Sequence, residues 1–204
     1  MQNAKDNIGI IILAAGSSSR LDKPKQLLMH RGTSLIRHVT AEAFEAGLLP
    51  VLVVTGAGSD AISKELDETN AAIVYNNRWQ EGMASSIVKG ITHVMDNNTE
   101  TQGIIVAVCD QPFVSEKLFL QLMETKKTTG KGIVASAYAG TVGTPVLFDK
   151  SYFQALASLR GDQGAKKLLK MYAQDMATVP FEQGEVDIDT ADDLKRLYKE
   201  TKQP

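Results

Sequence analysis

The chain has 204 residues and a formal net charge of −2, with 43% apolar and 23% charged residues. That balance describes a folded protein with a sizeable core and offers no bulk positive charge to nucleic acid or a membrane surface. A single cysteine, Cys109, precludes an internal disulfide framework and fits a reducing compartment, so a cytoplasmic protein is expected.

The first apolar run, from Ile8 to Ala15, is interrupted by Gly9 and is far too short to span a bilayer. No cleavage-site pattern follows it, so it is read as a strand over 9–13 and not as a signal peptide. Further strands are predicted at 51–55, 72–75, 103–109, 132–137, 144–148 and 176–181, with helical patterns between them. Leu35, Ile36, Val39, Ala43 and Ala46 share one helix face, and Gly47 is placed to end that helix in the left-handed conformation. Ile87, Val88, Ile91, Val94 and Met95 repeat the pattern one segment later. Ser115 is predicted to cap a helix carrying Leu118, Leu122 and Met123, and Thr190 to cap the last helix with Asp193 three residues on.

Apolar strands alternating with amphipathic helices predict a three-layer α/β fold with a mostly parallel, Rossmann-like sheet, as one domain over 1–204. The pattern after about residue 132 is less regular and admits antiparallel strands. Ligands of such sheets sit beyond the carboxyl ends of the strands, which directs attention to the loops after Leu13, Thr55, Tyr75 and Cys109.

The first of these loops lies in "ILAAGSSSRLDKPKQLL", residues 12–28. Leu13, Ala14, Ala15, Gly16, Ser17 and Ser18 combine small side chains, which let backbone N–H groups approach an anion, with hydroxyl donors. Arg20 offers a fork for phosphate, Lys23 and Lys25 add compact charges, and Pro24 stiffens the path between them. These features describe a triphosphate cradle. The bland alternative is an ordinary strand-to-helix turn with solvated basic residues; neither GxxxxGK[ST] nor GxGxxG is present. Asp110 follows the buried run 104–109 and emerges at the ligand edge of the sheet, where a magnesium ion bound with a triphosphate needs a hard oxygen ligand. Asp187 and Asp189 alternate with Val186 and Ile188, so both carboxylates share a face if the segment is a strand. Ser85 and Ser86 open a helix and are placed either to bind nucleotide or simply to cap it. Trp79 is expected to pack in a hinge, Cys109 to fill core, and His30, His38 and His93 to be structural, because no metal-ligand spacing joins them.

"LAAGSSSRLDKPKQLL" resembles the signature LAAGxSxRxGxxKxLL of the MobA-like nucleotidyltransferases. "NNRWQEGMASSIVKG", "VCDQPFV", "GTPVLF", "GDQGAKKLL" and "VDIDTADDL" follow in order. Together they resemble the molybdenum cofactor cytidylyltransferase branch, which includes accessory proteins that mature xanthine dehydrogenase in purine catabolism. The resemblance covers about residues 8–196. It implies transfer of CMP from CTP to the terminal phosphate of molybdopterin or its molybdenum form, with release of pyrophosphate. The implied metal ligands of Mg²⁺ are Asp110 and Asp189, with Asp187 as the alternative to the latter. The implied nucleotide site comprises the first loop with Arg20, Lys25, Ser85 and Ser86, and the implied acceptor loop carries Gly161, Asp162 and Gly164. A molybdenum hydroxylase is an implied client. Ala15 occupies a position where the guanylyl-transferring relatives carry glycine, which implies CTP over GTP. Asp22 stands where the signature has glycine, and "YAGTVGTP" lacks the arginine and histidine that many relatives carry before GxP. A cytidylyl- or uridylyltransferase for a sugar or alcohol phosphate, and a carrier that delivers the cofactor without turnover, remain as alternative readings.

Overall fold

The run IGIIILA folds as β1 (Ile8–Ala14), buried along its whole length. Alternate side chains serve two separate cores: Ile8, Ile10, Ile12 and Ala14 enter one apolar cluster, Ile11 and Leu13 the other. Such double-sided burial is what an unbroken apolar strand predicts. The computed structural model describes residues 7–17, 24–161, 164–188 and 193.

A two-stranded hairpin, β2 (Met29–His30) with β3 (Thr33–Ser34), follows the first loop. Next come α1 (Leu35–Glu45), β4 (Val51–Thr55), α2 (Ser59–Leu66), β5 (Ala72–Tyr75), α3 (Met83–Asn97), β6 (Gly103–Val108) and α4 (Glu116–Thr129). The chain closes through β7 (Ile133–Tyr138), β8 (Thr141–Asp149), α5 (Phe153–Ala157), α6 (Lys166–Met171) and β9 (Met176–Pro180). The main sheet has seven strands in the order β5-β4-β1-β6-β8-β7-β9. β1 runs parallel to both β4 and β6, β4 to β5, and β7 to β9, while β8 is antiparallel to its neighbours β6 and β7. The less regular pattern after residue 132 is this reversed strand.

Helices α1, α2 and α4 cover one face through Ile36, Val39, Ile62, Leu66, Phe119 and Leu122. Helices α3, α5 and α6 cover the other through Ile87, Ile91, Leu156, Leu168 and Leu169. The capping signals act as the sequence implies: Ser115 Oγ accepts from the Leu118 amide at 3.4 Å, and Gly47 turns the chain after α1 at φ 73°. The predicted cap at Thr190 lies outside the described residues. No helix among the described residues is long and apolar enough to cross a membrane.

This topology brings the carboxyl ends of β4, β1 and β6 side by side. Everything described next is built on that edge.

Candidate active site

The loop after β1 is held from two sides. Gln26, only 1% exposed, donates its side-chain amide to the carbonyls of Ala14 at 2.9 Å and Gly16 at 3.1 Å. The carbonyl between them, Ala15 O, accepts from the Ala57 amide at 3.1 Å. With three successive carbonyls tied to protein donors, N–H groups are what this loop has to offer a ligand. Leu13, Ala14 and Ala15 are buried, whereas Gly16 and Ser17 are exposed at the strand's mouth.

Gly56, after β4, lets this arrangement close. A Cβ there would stand 2.6 Å from Trp79 Cβ and 2.7 Å from Ala15 O. Trp79 therefore packs against backbone next to the loop. Gly56→Ala should cost about 1–3 kcal/mol, the usual range for forced overpacking, read as a lower urea midpoint at unchanged m-value. Wild-type stability in that variant would mean that the contact is looser than the structure describes.

Asp110 begins the turn after β6, and its side chain is 16% exposed. Its carboxylate Oδ2 pairs with Lys25 Nζ at 2.5 Å, so the basic end of the first loop and the acid beyond β6 meet across 85 residues of sequence. The backbone carbonyl of Asp110 accepts from the Ile188 amide at 3.1 Å. Ile188 is fully buried and Asp187 is exposed, as the alternation implied. However, residues 186–188 do not form a strand.

Beside Asp110 opens a cavity of about 650 Å³. Met83, Val108, Val146 and Leu169 supply apolar wall, Lys166, Lys167 and Lys170 come from α6, and Asp110 and Asp187 supply the acids. Gln111 and Tyr138 also line it. Gln111 is 3% exposed, donates to Gly184 O at 2.8 Å and accepts from Thr144 Oγ1 at 3.3 Å. Burial pushes the Tyr138 phenol up and the carboxylates of Asp187 and Asp110 push the same way, while the Thr144 and Gln111 side chains pull it back. The net effect is upward, so the phenol stays neutral.

The donor set suits a hard cation. Asp110 and Asp187 present carboxylate oxygens on the cavity, with no thiolate or imidazole among the residues that line it. No group of three or more His, Cys, Asp or Glu among the described residues is placed to hold a metal. Two carboxylates leave positions for phosphate oxygens.

A model of the MobA-like NTP transferase domain matches residues 10–178. The chain belongs to the MobA-like NTP transferase family. It is 30% identical over 199 residues to the nicotine blue oxidoreductase of Paenarthrobacter nicotinovorans, covering 92% of this chain and 94% of the relative. It is 26% identical over 166 residues to the purine catabolism protein PucB of Bacillus subtilis (strain 168), covering 78% and 79% of the two chains. The solved structure of Rv0371c from Mycobacterium tuberculosis H37Rv in complex with manganese superposes with a TM-score of 0.74 at 26% identity, over 95% of this chain and 98% of that one. The seven-stranded sheet is accordingly that of the nucleotide-diphospho-sugar transferase fold.

Set on this MobA-like frame, the residues singled out from sequence fall into three groups. Leu13, Ala14, Ala15, Gly16, Ser17, Lys25 and Asp110 gather at the ends of β1 and β6, and Gly164 lines the cavity, with Met83 Sδ 2.7 Å from where a Cβ would stand. Gly161 turns the preceding loop at φ 68°. Ser18, Arg20, Lys23, Asp162 and Asp189 lie outside the described residues.

Ser85 and Ser86 go elsewhere. Asn76 Nδ2 donates to both hydroxyls, at 2.9 and 3.0 Å, and Ser86 is 4% exposed. Ser85 donates in turn to the carbonyl of Gly82 at 2.8 Å or Arg78 at 2.9 Å. The pair thus anchors the turn between β5 and α3, and neither serine is among the residues that line the cavity. Cys109 is core, its thiol pushed up to about 12, chiefly by burial. Among the histidines, His38 Nε2 bonds Val114 O at 2.9 Å. His30 is buried against Phe113 and held neutral, mainly by burial.

Sequence reasoning passed over Gln26, Gln111 and Tyr138. Both glutamines stand inside quoted motifs, directly after Lys25 and Asp110, which is the signal that would have pointed to them.

Proposed function

We propose that this protein transfers CMP from CTP to the terminal phosphate of molybdopterin or its molybdenum form, releasing pyrophosphate. The observation that carries the reading is the Lys25–Asp110 pair, which joins the anion-binding loop to the cavity. A nucleotide on the loop would have its α-phosphate near this junction, and an acceptor in the cavity would reach the same point.

In the proposed reaction an acceptor phosphate oxygen forms a new bond to the α-phosphorus of CTP as the bond to the bridging β-phosphate oxygen breaks. The attacking group is already anionic, so no strong general base is required. What remains is in-line positioning and neutralisation of charge. The loop amides from Ala15 to Ser18, with Arg20, hold the β- and γ-phosphates. Lys25 exchanges the Asp110 carboxylate for phosphate oxygens. Asp110, with Asp187 or Asp189, would hold a magnesium ion, which supplies positive charge against the α-phosphate and the leaving pyrophosphate. The manganese in the Rv0371c structure supports a divalent cation in this fold, and the purine catabolism name of the PucB relative is in keeping with the purine-catabolic setting that the sequence resemblance implies. The partly apolar lining of the cavity supports an acceptor with an apolar portion to its body.

A second reading has one observation behind it, the oxidoreductase name of the 30%-identical relative. It makes the cavity a redox site and predicts a net change of oxidation state in the substrate; the transferase reading predicts none.

Pyrophosphate release in the presence of molybdopterin, measured with each nucleoside triphosphate in turn, tests the proposal. Ala15 is 5% exposed beside the loop, and its extra methyl leaves less room for a purine. A methyl-sized difference in fit is worth ~1–3 kcal/mol, so kcat/KM for CTP should exceed that for GTP by about tens of fold. Equal values would refute the base assignment, and no release with any nucleotide would end the reading.

A further inference from the structure

Residues 25–27 form a single 3₁₀ turn, closed by bonds from the Leu27 amide to Pro24 O at 2.9 Å and from the Leu28 amide to Lys25 O at 3.1 Å. The Leu35 amide, at the start of α1, donates to Leu28 O at 2.9 Å and ties the turn to that helix. Two neighbouring side chains leave this anchored turn for different targets. Lys25 reaches the Asp110 carboxylate, and Gln26 reaches back to the first loop. The signature LAAGxSxRxGxxKxLL leaves position 26 open, so the resemblance assigns this glutamine nothing.

A peptide unit is planar, with its N–H directed opposite to its C=O. Holding the Gly16 carbonyl therefore fixes the direction of the Ser17 amide, and holding the Ala15 carbonyl through the Ala57 amide fixes that of Gly16. Both residues are exposed at the mouth of β1, where a polyanion would arrive. If the same peptides turned over, they would present oxygens to the phosphates in place of donors. Two carbonyls close together need a neutral group with two donor hydrogens. Gln26 Nε2 supplies both, without bringing a charge to a position that is almost wholly buried.

We infer that Gln26 is a positioning residue for the nucleotide: by capturing the Ala14 and Gly16 carbonyls it aims the loop amides at the β- and γ-phosphates. The inference rests on the transferase reading and adds to it the side chain that gives the loop its polarity. Gln26 touches no phosphate in this account and acts only through the loop.

Calorimetric titration of wild type and Gln26→Met with CTP and with CMP, each in the presence of Mg²⁺, tests this. Methionine keeps the length of the side chain and loses both donors. The dissociation constant for CTP should rise about tenfold, the order expected for lost hydrogen bonds. That for CMP, which has no β- or γ-phosphate, should stay within about twofold. Unchanged CTP affinity would overturn the assignment, and so would equal losses for the two nucleotides, which mark a general structural role. Should the variant fail to fold, the wild-type protein decides. Its Gly16 and Ser17 amide resonances should shift more with CTP than with CMP, and equal shifts would overturn the assignment. A wild-type protein that binds neither nucleotide would overturn the transferase reading itself, whereas wild-type binding that the variant retains in full overturns this inference alone.

Discussion

Asp110→Asn should abolish nearly all CMP transfer while leaving a cooperative unfolding transition close to wild type. Asparagine is nearly isosteric, and the bond from the Ile188 amide runs to the backbone carbonyl of residue 110, so the turn survives the change. The pair with Lys25 is mostly buried, but the asparagine carbonyl oxygen can still accept from the Lys25 ammonium, which limits the loss of stability. What disappears is the formal charge that would face a divalent cation, which binds mainly through anionic oxygens. Removing one well-placed electrostatic element of this kind costs ~10²–10³ in rate. Single-turnover kinetics at saturating Mg²⁺ give the check. Turnover within a few-fold of wild type would remove Asp110 from the chemistry, and a large drop in thermal midpoint would make it a turn residue.

Lys25→Ala should lower kcat by about 10²-fold, yet weaken CTP binding by less than about tenfold. The structure gives the reason for the split. Lys25 is already paired with Asp110 at 2.5 Å before any nucleotide arrives. Binding a phosphate exchanges one anion for another, so the net gain in the ground state is small. The gain grows only as negative charge accumulates during phosphoryl transfer. Calorimetric titration with CTP, set beside kcat, separates the two effects. If affinity falls as far as turnover, Lys25 is a ground-state phosphate ligand and the proposed division of roles is wrong.

The strands were largely legible because their apolar runs are long and bounded by glycine and polar turns. β4 and β5 fall where the sequence places them, and β1 extends one residue further at each end. Helix α2 carries no such signal: Ile62 and Leu66 are its only buried positions, too few to show a period. The β2–β3 hairpin has two residues per strand, below the length at which alternation means anything. The V-D-I-D alternation at 186–189 invites a strand, but the described residues 186–188 are not in one, and the Ile188 amide bonds the Asp110 carbonyl. Alternation reports which side is buried and says nothing of a ladder.

The site divides along the same line. The small residues of the first loop, Lys25 and Asp110 are visible because their chemistry is local to a motif. Gln26 and Gln111 are not, since each acts through carbonyls remote in sequence, at Ala14, Gly16 and Gly184. Ser85 and Ser86 read either as ligand donors or as caps at a helix start, and nothing local announces Asn76, their buried partner nine and ten residues away. Tyr138 is invisible for a related reason. A tyrosine at a strand end is unremarkable until Gly143 and Gly184, distant in the chain, are seen to clear a slot for it.

The central claim is best tested by mass spectrometry of the products formed from CTP, Mg²⁺, molybdopterin and the purified protein. The account predicts a species heavier than molybdopterin by one cytidylyl group, formed together with an equivalent of pyrophosphate. Molybdopterin recovered unchanged, or a cytidylyl group found only on a sugar or alcohol phosphate offered alongside it, would contradict it.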